Sequence, residues 1–249
     1  MRILFTGGYT GIGLAACREL QQRGPHEIIL ALRDPSLAHD VNEMDVRKCD
    51  LADFQSVREF VKSVHGHVDV LVCNSAVYYL GPRRQGPSGL DLHLSVCHIG
   101  HWLLLYLLQK QVSRVVFVGS ALHTAGRIHS VDEKERTGVS YADAKLMQLA
   151  LTLKWSAVIK EIVVIQPGFV PETGLHRLDG WRASVWWIMS YMWFARSKEE
   201  AGRVVTEAIL RPASGIVSLD KDLQPIPLPS FSDEEQDRLW ELTQKWAGV

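Results

Sequence analysis

A doubly wound α/β fold, one parallel sheet with helices on both faces, is what this sequence of 249 residues predicts. Three observations predict it. Short Val/Ile/Leu-rich runs alternate with segments of helical periodicity. The apolar runs show little in/out alternation, as strands do when both faces of their sheet are covered. The strand–helix alternation implies parallel neighbours joined by right-handed crossovers.

Taken in order, Ile3–Thr6 reads as the first strand and Ile12–Arg23 as a helix ending near Gly24-Pro25. Glu27–Leu32 is a second strand. Ser56–His65 is a helix with Asp53 as its N-cap. Val68–Cys73 is a strand, Leu92–Gln109 a long helix and Val115–Val118 a strand. Tyr141–Lys160 reads as one helix, Ile162–Gln166 as a strand running into Pro167-Gly168, and Asp233–Trp246 as a final helix introduced by Ser232. The stretch Pro225–Pro229 reads as a loop. The length suits a single domain spanning residues 1–249.

Composition excludes some classes. The net charge is −1 and no basic run occurs, so no nucleic-acid partner is expected. Cys17, Cys49, Cys73 and Cys97 form no CxxC pair and no zinc-spaced cluster, so buried free thiols are expected and no metal. His98 and His101 lie three apart with no third ligand and are expected to serve packing or capping. The chain opens directly on a strand, Met1 to Thr6, which points to a cytoplasmic protein, at most peripheral on a membrane. The longest apolar tract, Ala183–Ala195, has 13 residues, against about 20 for a membrane span.

The first strand runs into Thr6-Gly7-Gly8-Tyr9-Thr10-Gly11-Ile12-Gly13. Glycines at 7, 11 and 13 between a strand and a helix allow a sharp turn and a close approach to a pyrophosphate, which the helix N-terminus attracts. This marks a Rossmann-type dinucleotide site with contacts from Gly7, Tyr9, Thr10, Gly11, Ile12 and Gly13. At the end of the second strand, where an acid would select NAD, stands Leu32, followed by Arg33. A guanidinium suits a 2′-phosphate, so NADP(H) is expected over NAD(H). The other reading makes Arg33 a surface charge paired with Asp34. Asp50, followed by Leu51, is expected either to meet the adenine amino group or to serve a helix start.

Tyr141 and Lys145 stand at i and i+4, sharing one helix face. A neighbouring ammonium eases a phenol toward its anion, and such a Tyr can exchange a proton with a substrate oxygen while hydride moves. Ser120, after a strand, is placed to hydrogen-bond the same oxygen.

With these residues the chain resembles the short-chain dehydrogenase/reductase family over nearly its whole length. Thr6–Gly13 is similar to the family's TGxxxGxG, Asn74-Ser75-Ala76 stands where it has NNAG, and Pro167-Gly168 where it has its PG motif. Within the family the chain looks like the branch of retinol dehydrogenases, the WW-domain oxidoreductase and light-dependent protochlorophyllide reductase. The segments Val70–Tyr78, His98–Trp102, Pro167–Arg177 and Ser197–Gly202 and the last helix carry that likeness.

The resemblance implies Ser120, Tyr141 and Lys145 as catalytic residues, with Tyr141 as acid/base and Lys145 also on the nicotinamide ribose. It implies cofactor contacts from Asn74, Ser75, Ala76, Pro167, Gly168 and Val170. A carboxamide contact is expected from Thr173, because Glu172 stands at the usual Ser/Thr position. Cys97 takes the place of a catalytic Asn, and its thiol is a weaker hydrogen-bonding group, so slowed turnover is expected. Family members commonly pair around helices equivalent to those at Leu92 and Tyr141, which implies a homodimer.

The tryptophans at 181, 186, 187 and 193 read as a substrate lid around residues 172–196, as an interfacial helix or as core. The function expected is an NADP(H)-dependent oxidoreductase acting on a small apolar substrate: a bulky carbonyl, alcohol or conjugated ring. The alternative is a catalytically weak dinucleotide-binding sensor or scaffold.

Overall fold

The structure, a computed structural model, describes residues 1–41, 43–79, 82–128, 138–171 and 195–249. Its centre is a seven-stranded sheet in the order β3-β2-β1-β4-β5-β6-β7, with every neighbouring pair parallel. The strands are β1 (Arg2–Thr6), β2 (Glu27–Leu32), β3 (Asp45–Lys48), β4 (Val68–Cys73), β5 (Val112–Val118), β6 (Glu161–Ile165) and β7 (Gly215–Leu219). The helices are α1 (Gly11–Arg23), α2 (Phe54–Ser63), α3 (92–108), α4 (Tyr141–Ala150), α5 (Thr152–Ser156), α6 (Lys198–Leu210) and α7 (Asp233–Ala247).

Successive side chains of a strand point to opposite faces. β1 shows the consequence: Ile3 and Phe5 join one core with Leu20 of α1 and Val205 of α6, while Leu4 joins the other with Phe60 of α2, Leu103 of α3 and Trp155 of α5. Leu4 and Phe5 are fully enclosed, and burying such a side chain contributes roughly 1.5–3 kcal/mol. On the first face α1 and α6 touch closely. A Cβ on Gly202 would lie 2.6 Å from that of Ala15, and the Thr206 hydroxyl donates to the Ala16 carbonyl at 3.1 Å.

α3 begins as Leu92–Leu94, widens into a π-helix at Ser95–Ile99 and resumes as α-helix at Gly100–Leu108. The widened turn is closed by the Gly100 N–H donating to the Ser95 carbonyl. A side chain at Gly100 would overlap the Leu51 carbonyl oxygen, so glycine lets the helix pass against the loop after β3.

Several boundaries differ from expectation. α2 starts at Phe54 because the Asp53 side chain accepts from the Gln55 and Ser56 N–H groups. The single helix expected over 141–160 breaks at Leu151, where the Thr152 hydroxyl takes the Leu149 carbonyl at 2.6 Å in competition with the helix ladder. α6 and β7 were not anticipated. Ser197 and Glu200 form a reciprocal capping box at the start of α6, so its signal was present in the sequence. Among the described residues, no helix is long and apolar enough to cross a membrane.

Candidate active site

The expected site residues within the described chain gather at the carboxyl ends of the strands. The strand order reverses between β1 and β4, and a ligand crevice is expected at such a switch point. At its floor the glycine turn leaves β1 with positive φ at Gly7, Gly8 and Gly11 (74°, 112° and 58°), a region that side-chain-bearing residues rarely occupy. A Cβ on Gly13 would stand 2.7 Å from Nδ2 of Asn74, and one on Gly7 2.9 Å from Oγ of Ser75. These two glycines therefore let the turn nest against the loop after β4. Thr6 stitches that loop down. Its hydroxyl accepts from the N–H groups of Asn74 (2.9 Å) and Ser75 (3.1 Å), and the Asn74 amide donates to the Thr6 carbonyl at 3.0 Å.

These residues fit a dinucleotide's pyrophosphate. The first N–H groups of α1 receive no side-chain cap from Thr10, and the first turn carries no acidic residue. α4, α6 and α7, by contrast, each close with a capping box. The positive end of α1 is thus left for an anion. Tyr9 and Ile12 are half-buried and pack on the adjoining core, whereas Thr10 is exposed.

At the end of β2, Arg33 is exposed, and among the described residues no carboxylate lies within ion-pair distance of it. Asp34 instead accepts from the Ser36 N–H (3.0 Å) and hydroxyl (2.6 Å), which caps the following turn. Arg33 and Asp34 make no close ion pair, but Arg33 is among the charges that lower the Asp34 pKa, after its hydrogen bonds with Ser36. Asp50 accepts from the Ala52 N–H at 2.9 Å, and Leu51 is buried, so both help lead the chain into α2.

Tyr141, Ser120, Lys145 and Cys97 converge at the ends of β4 and β5. Burial pushes the Tyr141 phenol above its ordinary range, nearby Cys97 adds to this, and a hydrogen bond with the Ser120 side chain opposes it. The easing expected from Lys145 does not dominate. The ammonium lies 6.0 Å from the Tyr141 ring centre and is engaged elsewhere, donating to the Val118 carbonyl at 2.7 Å and to Oε1 of Gln148 at 3.3 Å. Lys145 is almost fully buried, and burial lowers its pKa. Cys97 sits in the π-helical turn with its thiol on the Val77 carbonyl at 3.6 Å, and burial pushes it up despite the nearby Lys145. The two histidines of α3 are tied inward: His98 Nε2 meets the Thr243 hydroxyl and His101 Nε2 the Thr6 hydroxyl, both at 2.9 Å.

On the nicotinamide side, Pro167 and Val170 are buried and Gly168 has φ 92°. A bridge between Phe169 and Ala195 brings the two ends of the expected lid side by side. Glu172, Thr173 and the tryptophans at 181, 186, 187 and 193 lie outside the described residues.

Sequence reasoning missed a cluster beside Tyr141. Tyr78 meets the Tyr141 ring edge-on at 5.3 Å, and His93 does so at 6.1 Å. His93 stacks on Tyr79 at 4.0 Å, and buried Asp91 accepts from the His93 N–H (2.8 Å) and the Tyr79 hydroxyl (3.2 Å). No spacing rule joins residues 78 and 79 to 91 and 93. An Asp one residue before a helix start was the available signal.

The short chain dehydrogenase family model matches residues 1–177. Human retinol dehydrogenase 11 is 29% identical over 242 residues, covering 87% of this chain and 74% of that protein. The chloroplastic protochlorophyllide reductase of Marchantia paleacea is 27% identical over 311 residues, covering 99% and 68%. Among solved structures, an uncharacterized protein from Mycobacterium paratuberculosis superposes with a TM-score of 0.77 at 22% identity over 100% of this chain and 93% of that one. A short chain dehydrogenase from Burkholderia cenocepacia, solved in complex with NADP, gives 0.62 at 15% identity over 99% and 92%. Fold, glycine turn and family match agree: the chain belongs to the short-chain dehydrogenase/reductase family of oxidoreductases.

Proposed function

We propose that the protein is an NADP(H)-dependent reductase or dehydrogenase of a bulky apolar carbonyl or alcohol, with Tyr141 as its general acid/base. The observation that carries this reading is the convergence of Tyr141, Ser120 and buried Lys145 at the same carboxyl edge of the sheet as the uncapped start of α1. A nicotinamide dinucleotide, when bound, supplies or accepts the hydride. Gly7, Tyr9, Thr10, Gly11, Ile12 and Gly13 would hold its phosphates, and Arg33 a 2′-phosphate. Asp50 and Leu51 would line its adenine, while Asn74, Ser75, Ala76, Pro167, Gly168, Val170 and Thr173 would lie along the rest.

Everything else falls to the protein. Ser120 orients the substrate oxygen, and Tyr141 delivers a proton to it. A phenol held protonated by burial is in the form that donates when a carbonyl is reduced. The positive charge of Lys145, 6.0 Å from the ring centre, offsets the phenolate left as that proton departs, until a proton from solvent restores the phenol. The aromatic wall of Tyr78, Tyr79 and the expected lid suits an apolar substrate, and the retinol dehydrogenase relatives make a retinoid-sized molecule the first to try.

A fluorescence titration with NADPH and, separately, NADH tests the cofactor, and retinaldehyde heads a screen of apolar carbonyls. Tyr141→Phe is expected to lower turnover roughly 10²–10⁴-fold while NADPH affinity stays the same. An activity that survives Tyr141→Phe sinks the mechanism. Cofactor binding without turnover on any carbonyl moves the reading to a sensor or scaffold.

A further inference from the structure

A small cavity lies between α3, α4, α5 and β5, and Gln148, which accepts from the Lys145 ammonium, borders it. It is bordered by His98, His101, Trp102, Phe117, Gln148 and Leu151, all buried. The space open to the centre of a water molecule is about 10 Å³, enough for about one.

The polar atoms around it are unusual. Trp102 Nε1, Gln148 Nε2 and His101 Nδ1 are buried and have no hydrogen-bond partner among the described residues. A buried donor left unpaired costs about 1–3 kcal/mol, so the Trp102 and Gln148 donors beside one cavity imply a shared partner.

The hydrogen-bond pattern sets the direction of the Gln148 amide. Lys145 can only donate, so the Gln148 oxygen faces it and the Gln148 NH2 group faces away. The Thr6 hydroxyl accepts from two backbone N–H groups and has two acceptors within reach of its own proton, the Val72 carbonyl at 3.2 Å and Nε2 of His101 at 2.9 Å, so it does not by itself fix the His101 tautomer. Nδ1 of His101 faces the Cys97 carbonyl without reaching hydrogen-bond geometry. The Thr243 hydroxyl donates to the Leu239 carbonyl at 2.7 Å, so His98 donates from Nε2 and keeps its lone pair on Nδ1. Two donors of residues bordering the cavity are thus left without an acceptor, Trp102 Nε1 and the Gln148 NH2 group.

We propose that one water molecule occupies this cavity, accepting from Trp102 Nε1 and Gln148 Nε2, and thereby makes Gln148 a positioning residue for the Lys145 ammonium. This rests on the reading of Lys145 as the partner of Tyr141. Among the described residues the Lys145 ammonium is the one partner of the Gln148 amide, and the water would hold its other end. With it, the ammonium has two acceptors at fixed places, Val118 O and Gln148 Oε1, and stays charged while buried. The brace comes from the helix that carries Lys145 itself and does not pass through Cys97.

Two measurements test this, and neither depends on turnover. A crystal structure of the full chain should show a density peak within hydrogen-bond distance of Trp102 Nε1 and Gln148 Nε2. An empty cavity, or a peak that refines as chloride, overturns the water. In labelled-lysine NMR, the Lys145 titration should move down by about one pH unit in Gln148→Leu, which removes an acceptor, and up in Gln148→Glu. Trp102→Phe keeps the ring and removes one donor; it should lose the peak and move the titration down by less, which covers the case in which Gln148→Leu does not fold. An unchanged Lys145 titration in these variants overturns the positioning role. If Tyr141→Phe retains turnover while the peak and the shifts appear, the catalytic reading fails and the water site stands.

Discussion

The Thr6 hydroxyl stands 2.9 Å from Nε2 of His101 and joins the last residue of β1 to the helix that carries Cys97. The same oxygen takes the N–H groups of Asn74 and Ser75, so one buried hydroxyl holds three elements of the site together. Thr6→Val keeps the shape and strands all of these partners and the Val72 carbonyl, which lies 3.2 Å from the hydroxyl. At about 1–3 kcal/mol for each buried orphan, a loss of roughly 3 kcal/mol or more is expected in urea unfolding, together with weaker dinucleotide binding. Thr6→Ser keeps the hydroxyl and should stay within about 1 kcal/mol of the parent. Equal losses in the two variants would mean that the methyl group, not the hydroxyl, matters.

Arg33 is exposed and, among the described residues, makes no close ion pair, though it lies near enough to Asp34 to lower its pKa. A hydrogen bond to a charged group contributes about 1.5–3 kcal/mol, so Arg33→Ala should weaken NADPH binding roughly 10- to 100-fold. NADH has no 2′-phosphate and should be spared. A parallel loss for both cofactors would remove Arg33 from this role.

Acid should unfold the protein through α3. Burial lowers His98 and His101 from the ordinary value of 6.5 to about 3. Below pH 6.5 the unfolded chain takes up protons that the folded chain refuses, so stability falls with pH down to about pH 3 and is constant above the window. Between pH 6.5 and 5 each histidine should remove about 2 kcal/mol. Urea midpoints measured across this range should fall steeply, and His98→Asn, which gives up one such group, should fall less steeply. A flat profile for the parent would show that these rings are protonated without cost.

The parts of the site built from local spacing were legible in the sequence. Gly7, Gly11 and Gly13 announce a turn between strand and helix, and Tyr141 and Lys145 share a face by helical geometry alone. What escaped depends on contacts between distant segments. Burial of Tyr141 raises its phenol, and no local pattern measures burial, so the expected effect of Lys145 was given too much weight. The Tyr79–Asp91–His93 cluster and the Gln148 brace likewise exist only once β4, α3 and α4 are packed. Short β7 escaped because Gly215–Leu219 has only five residues and a buried serine, and it is recognised by pairing with β6.

Cys97 offers a direct gain-of-function test. The thiol lies in the π-helical turn, 3.6 Å from the Val77 carbonyl, where the family pattern places an asparagine. A carboxamide is close to the thiol in size but can donate two hydrogen bonds and accept others, so it can hold a proton-relaying water that a thiol holds weakly. Burial keeps the thiol protonated, so Cys97 offers no thiolate to act in place of the amide. Cys97→Asn should therefore raise the maximal rate of carbonyl reduction several-fold and increase its solvent isotope effect, with NADPH affinity unchanged. Cys97→Ala should give no such gain. If Cys97→Asn leaves rate and isotope effect where they were, while unfolding shows the variant intact, proton supply does not pass through this turn and Lys145 is served by another route.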